Sequence, residues 1–179
     1  MLRASLFKHK KMIYLDFAAS TPLLQSVKEE LFRAFEKEYA NPSSAHKLGL
    51  ISAEKIEDVR GLIADSIGAY KSEILFTSGA TESNNLAIKG YALANRSKGR
   101  HIITSSIEHK CILAICHFLE KEHDYDITYI PPQNNGVVDA QDVIAAMRED
   151  TVLVSIMHVN NELGSIQPIA AIGQACFAR

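Results

Sequence analysis

Apolar residues recur along this chain in two rhythms, and the change from one to the other lays out its elements. From Leu23 to Tyr39 the positions Leu24, Val27, Leu31, Ala34 and Phe35 fall at helical spacing, with Pro22 placed to open the helix. A second helix follows the turn Asn41-Pro42-Ser43-Ser44, which supplies its cap. Its stripe is Ile51, Ile56, Val59, Leu62, Ile63 and Ile67, and Gly68 ends it. Both stripes mark core contact rather than chemistry. Ahead of them, Met12 to Phe17 reads as a brief extended segment that runs into the small residues Ala18-Ala19-Ser20-Thr21.

The rhythm then shortens. Ile74 to Thr77 reads as a short buried strand, Ser78-Gly79 as a corner, and Ala80 onward as a helix with an interior stripe at Leu86, Ala87, Gly90, Tyr91 and Ala94. Three further strand candidates follow, at His101 to Thr104, Tyr125 to Ile130 and Val152 to Met157. Helical patterns separate or follow them, at about His109 to Glu122, Asp139 to Arg148 and Ile169 to Ala178. Strand and helix alternate at crossover spacing. That pattern predicts a three-layer α/β fold, a mainly parallel sheet with helices on both faces and right-handed crossovers. No repeat, low-complexity tract or linker divides residues 12–179, so they are expected to form one body.

Composition narrows the function classes. A chain of 179 residues, 47% apolar and 22% charged, has enough apolar material for one core. The formal net charge is −2, and the basic residues are scattered without an aromatic stripe, which argues against a nucleic-acid partner. No apolar run reaches membrane-spanning length, and no signal-peptide core follows the start, so a soluble cytoplasmic protein without a membrane partner is expected. The basic arm 1–11 carries Arg3, Lys8, Lys10 and Lys11 with no acid. It reads as a targeting vestige or a plain start to the chain, and its shortness and lack of a cleavage pattern favour the second. Cys111, Cys116 and Cys176 are odd in number and lack Cys-x-x-Cys spacing, and no His-x-x-x-His occurs, so neither a disulfide framework nor a metal site is expected. Cys111 lies on an apolar helical face with Ile112, Ile115, Phe118 and Leu119 and reads as a small core residue.

The candidate chemistry sits at the corner. The first turn of a helix leaves backbone N–H groups unpaired at the positive end of the dipole, so Gly79-Ala80-Thr81 can hold a phosphate, with the Thr81 hydroxyl as a further donor. A strand, glycine and helix also occur in α/β proteins that bind nothing there. No Gly-Lys-Ser/Thr and no Gly-x-Gly-x-x-Gly is present, so the ligand is expected to be something other than a nucleotide. Ligands of open α/β sheets sit beyond the carboxyl ends of the strands, where Ser78 to Thr81, Ser105 to Lys110 and His158 to Glu162 fall together. His109 has two readings: an imidazole that stacks on a flat ring or shuttles a proton, or a capping or surface histidine. Asn160 has two as well, a donor and acceptor toward a phenolic or carboxylate oxygen, or a turn-former.

Taken together these stretches resemble the cysteine desulfurases of the class V aminotransferase group, the bacterial iron–sulfur assembly type. The resemblance runs from Tyr14-Leu15-Asp16 with Ala18-Ala19-Ser20-Thr21-Pro22, through Asn41-Pro42-Ser43-Ser44 with His46 and Gly49, to Phe76-Thr77-Ser78-Gly79-Ala80-Thr81-Glu82-Ser83-Asn84. It continues in Ser155 to Gly164 and spans Met12 to Arg179 in order. It implies the amino-terminal part of the large domain of a fold-type I pyridoxal-phosphate enzyme. Ala80 and Thr81 would hold the cofactor phosphate, His109 would stack on the ring and exchange a proton with the substrate, and Asn160 would reach the ring-oxygen side of the cofactor and the substrate carboxylate region. The implied reaction removes sulfur from L-cysteine, giving alanine and an enzyme persulfide, with the ring as electron sink. A homodimer and an iron–sulfur scaffold or other sulfur acceptor are implied as partners.

The departures from the family pattern are equally specific. The family's cofactor-linking lysine in Ser-x-His-Lys, its pyridine-nitrogen aspartate with the accompanying Gln, its Ser-His phosphate pair, its persulfide cysteine and its smaller domain are not met by Arg179. Lys89, Lys98 and Lys110 stand outside that motif. The expectation is therefore that these residues alone are inactive, with a non-catalytic truncated product or a cofactor-binding fragment as the alternative. Selenocysteine lyase and other class V relatives share the corner and the histidine. A nucleotide-binding or serine-hydrolase module is disfavoured, since neither a phosphate-loop lysine nor Gly-x-Ser-x-Gly is present.

Overall fold

The computed structural model describes residues 13–178; the basic arm 1–11, Met12 and Arg179 lie outside the described residues. The chain packs as two compact units, the first ending at Phe76 and the second beginning at Thr77. The boundary falls where the sequence has no linker composition, inside the stretch expected to be a strand. Ile74 to Thr77 is extended but pairs with no other strand among the described residues, and Leu75 and Phe76 are exposed. Without a neighbour to take its N–H and C=O groups, an apolar run does not become a strand.

Among the described residues the first unit holds two α-helices, α1 (Gln25–Lys37) and α2 (Lys47–Ile67), and a short 3-10 turn at Lys71–Glu73. Residues 13–16 form no strand, and a turn follows at 17–19; the Tyr14 hydroxyl donates to the carbonyls of Asp16 at 2.7 Å and Ser20 at 3.0 Å. The Asn41 turn forms, its Oδ1 accepting from Ser43 N at 2.8 Å, yet the cap of α2 is His46, whose Nδ1 accepts from Gly49 N at 3.2 Å. Gly68 ends α2 in the left-handed conformation, φ 67°. The predicted stripes are not the buried faces here. α1 has no buried residue, and α2 buries Gly49, Ser52, Gly61 and Ala64 instead. Close backbone approach requires the glycine at 49, where a Cβ would stand 2.3 Å from the Ser44 carbonyl oxygen.

The second unit contains the sheet. Strands β1 (His101–Ser105), β2 (Asp126–Ile130) and β3 (Thr151–Ser155) are parallel, in the order β2-β1-β3. The register sets His101 beside Asp126 and Thr151, with an irregularity after His101 on the β3 side. Alternation along β1 sends Ile102 and Ile103 to opposite faces. Ile102 joins Ile88, Ala92, Ile112, Ile115, Cys116, Leu119, Tyr125 and Ile127 in one core; Ile103 joins Ile130, Val138, Val143, Met147 and Ile172 in the other. Helix α5 (Lys110–His123) supplies the first core, while α6 (Ala140–Ala145) and α7 (Ile169–Phe177) supply the second. The expected three layers are therefore present. α6 is shorter than its pattern, opening at Asp139, whose side chain accepts from Gln141 N at 2.8 Å.

The helix after Gly79 runs as α3 (Ala80–Asn84), a π-helical turn (Asn85–Gly90) and α4 (Tyr91–Ala94). Its buried residues are Ile88 and Ala92, whereas Leu86 and Tyr91 of the expected stripe are exposed. The helix carries apolar residues on two sides, and spacing alone does not say which one meets the sheet. The wider π-turn also shifts the phase between the two α-segments.

At the amino end of β1, His101 is fully buried between two hydroxyls, Nδ1 2.7 Å from Thr151 Oγ1 and Nε2 2.8 Å from Thr128 Oγ1. One ring nitrogen donates and the other accepts, so a neutral imidazole ties the central strand to both neighbours. Burial pushes this imidazole below its ordinary 6.5, and Arg148 acts in the same direction against Asp126 and Asp150. The unfolded chain then binds the proton more readily, so the stability His101 contributes is complete above 6.5 and is lost as pH falls from there through the lower folded value. Urea unfolding between about pH 7.5 and about pH 5.5 is expected to show stability falling toward acid. His101→Ala is expected to be less stable by roughly 2–4 kcal/mol at the upper pH and to lose less over the interval. Equal pH dependence in both proteins would remove His101 as the cause.

Candidate functional site

The corner at Ser78-Gly79 is built by short polar links. Thr77 Oγ1 donates to the Gly79 carbonyl at 3.2 Å and lies 2.7 Å from Ser83 Oγ. The amide and hydroxyl of Ser78 both donate to Glu82 Oε2, each at 2.6 Å, and these bonds hold the Glu82 carboxyl below its usual range. The first turn of the helix closes with Ser83 N donating to the Gly79 carbonyl at 3.1 Å. This leaves the amides of Ala80, Thr81 and Glu82 without an acceptor among the described residues. Ala80 and Thr81 are exposed, and a Cβ built at Gly79 would meet nothing within 4 Å. Three free donors and a hydroxyl thus face open space.

His109 caps α5 and remains exposed. Its Nδ1 accepts from Cys111 N at 3.2 Å and lies 3.0 Å from Cys111 Sγ. The capping reading therefore holds, and it leaves Nε2 as the nitrogen available to a ligand. Accepting at Nδ1 fixes the neutral ring with its proton on Nε2. Cys111 is only half-buried, not the full core residue its stripe suggests, because its sulfur also accepts from Asn84 Nδ2 at 3.2 Å. Cys116 takes the core position, and burial pushes its thiol up to about 11.

Asn160 is buried after β3, and its carboxamide is engaged on every side. Oδ1 accepts from Glu162 N at 2.9 Å and Leu163 N at 2.8 Å; Nδ2 donates to the Ile107 carbonyl at 2.9 Å and faces Met157 Sδ at 3.4 Å. It forms the turn and also holds the segment leading into His109. Glu108, which patterning did not single out, does the same from the other side. Its Oε1 accepts from Ser105 Oγ at 2.9 Å and from Met157 N at 2.7 Å, joining the ends of β1 and β3. Burial pushes its carboxyl above the usual range, partly offset by those two donors. The one sequence signal for Glu108 was its adjacency to His109. Ala80 and Thr81 are thus linked through Asn84 and Cys111 to His109, and Asn160 reaches the same loop through Ile107.

Comparison with known proteins finds a family and relatives for the chain. The model of the aminotransferase class-V family matches residues 13–178. The cysteine desulfurase IscS of Escherichia coli O139:H28 (strain E24377A / ETEC) is 51% identical over 173 residues, 95% of this chain and 43% of that protein. A solved structure of SspA in complex with cysteine superposes with a TM-score of 0.86 at 48% identity, covering 92% of this chain and 47% of that one. That of a NIFS-like protein gives 0.84 at 37% identity, covering 88% and 43%. The chain spans less than half the length of these relatives.

The buried carboxyl of Glu108 separates hydrogen bonding from charge. Its raised pKa means that the folded protein binds the proton more tightly, so the penalty of the buried charge is absent in acid and sets in as pH rises through the folded value. Glu108→Gln keeps an acceptor for Met157 N and is expected within about 1 kcal/mol of the parent protein at neutral pH, whereas Glu108→Ala is expected to cost about 2–3 kcal/mol in urea unfolding. Equal losses for the two variants would contradict this account of the clamp.

Proposed function

Because this chain belongs to the class V aminotransferase family, we propose that it supplies the cofactor cradle of a pyridoxal-phosphate-dependent cysteine desulfurase. The observation that carries this reading is the open corner at Gly79, where three unpaired amides and the Thr81 hydroxyl stand in one unit with the exposed ring of His109. These groups fit a phosphorylated flat ring. Helix-terminal amides suit a phosphate, and a neutral imidazole suits an aromatic face. Identity of 51% to a cysteine desulfurase and likeness to a structure solved with cysteine support L-cysteine as substrate.

Each residue then has a task. Ala80 N and Thr81, through amide and hydroxyl, would hold the phosphate. Glu82 keeps Ser78 turned into the corner, so the donors are aligned before any anion arrives. His109 covers the ring and, with Nδ1 occupied by Cys111, presents Nε2 as the atom that holds or moves a proton. Asn160 fixes the loop that carries His109 and, on exchanging one of its present bonds, reaches the ring oxygen. When bound, pyridoxal phosphate supplies an electron sink for the bond cleavage at the substrate carbon. The products are alanine and a sulfur held as a persulfide for transfer to an iron–sulfur scaffold or another acceptor. A homodimer in a reducing cytoplasm completes the proposal, and cysteines that form no disulfide among the described residues suit that setting.

The test uses the full-length protein. Thr81→Val is expected to weaken pyridoxal phosphate binding about tenfold, as loss of one hydrogen bond to a charged group does. His109→Ala is expected to lower sulfide release from L-cysteine about a hundredfold. Cofactor affinity unchanged in Thr81→Val together with full turnover in His109→Ala would end the reading.

A further inference from the structure

Beyond the corner and the ring, one chain of contacts joins them. Asn84 sits in the last position of α3, the segment that Gly79 opens, and its Nδ2 donates to Cys111 Sγ at 3.2 Å. The sulfur lies 3.0 Å from His109 Nδ1. We propose that Cys111 is a positioning residue, a strut through which Asn84 sets the orientation and tautomer of the His109 imidazole. The proposal rests on the cofactor-cradle reading for its functional meaning, though not for its geometry.

The direction of each bond follows from the donors available. An amide N–H from Asn84 takes a sulfur lone pair, so the thiol hydrogen of Cys111 is left to point at His109 Nδ1. Nδ1 then receives two donors from one residue, the thiol and the backbone N–H at 3.2 Å. A nitrogen that accepts both carries no proton, which places the proton of the neutral ring on Nε2. The ring is exposed and has no other hydrogen-bond partner among the described residues, so the strut and the backbone cap are what orient it. Cys111 is half-buried against the core of Ile112, Ile115 and Cys116, which anchors the strut to α5 and the sheet. The phosphate-gripping helix and the imidazole are thereby held in one register through three side chains. No electron or group transfer is involved.

Serine replaces the strut chemically, since its hydroxyl also accepts from Asn84 and donates to His109; alanine does not. The experiment is nitrogen-15 NMR of the histidine rings in the full-length protein, free of pyridoxal phosphate, at a pH where the ring is neutral. In the parent protein His109 is expected to show the Nε2–H form. Cys111→Ala is expected to lower the ratio of Nε2–H to Nδ1–H about fivefold, the factor one neutral hydrogen bond is worth, with the backbone cap retained. Asn84→Leu is expected to shift it in the same direction, and Cys111→Ser to restore it. An unchanged ratio in either Cys111→Ala or Asn84→Leu overturns the proposal, because a merely structural cysteine would move the melting temperature and leave the tautomer alone. Should Cys111→Ala not fold, Asn84→Leu decides. Measured without cofactor, a failure here is distinct from a failure of the cradle reading, which pyridoxal phosphate affinity reports in Thr81→Val.

Discussion

Parallel pairing of β1 with a strand on either side is the constraint from which the second unit follows. Parallel strands need crossovers, and the crossovers are helices, so both faces of the sheet are covered and the core divides into two. The same pairing brings the carboxyl ends of β1 and β3 side by side. Glu108, which accepts from Ser105, therefore lies within bonding reach of Met157, although some fifty residues of chain intervene. The loop that carries His109 is shaped by that juxtaposition, with Asn160 closing it from the far side.

Two histidines mark the two ends of this arrangement. His101 is sealed between Thr128 and Thr151, where an imidazole spans both strand pairs and a charge would be costly. His109 stands exposed, with Nδ1 occupied by the Cys111 amide and Nε2 left without a partner among the described residues. The chemistry of the side chain is the same; the environment decides whether it serves as a brace or as a functional group. A similar division separates the cysteines. Cys116 is inert in the core, while Cys111, at the start of the same helix, has a sulfur placed between an amide and an imidazole.

Where patterning and structure differ, the difference has one source. Leu75 and Phe76, the large apolar residues of the α1 and α2 stripes, and Leu86 and Tyr91 of the helix after Gly79 all fit the pattern expected of buried elements, and all are exposed among the described residues. Hydrophobic spacing reports that a surface seeks cover; it does not report what covers it. Small residues give the complementary lesson. Gly49, Ser52, Gly61 and Ala64 form the buried face of α2 because little else fits there, and hydrophobicity counts pass over such positions.

Local signals sufficed for the three strands and the helices between them, for Gly68 as a helix stop, for the corner at Gly79 and for His109 at a helix start. Each depends on residues close together in the chain, so spacing and turn chemistry encode it directly. Tertiary structure alone decided the burial of Glu108, the engagement of Asn160 on all sides, the placement of His101 across three strands and the contact of Asn84 with Cys111. Those are partnerships between residues distant in the chain, chosen by strand order and register. A short-range pattern carries no record of which distant group will arrive to satisfy a buried donor or acceptor.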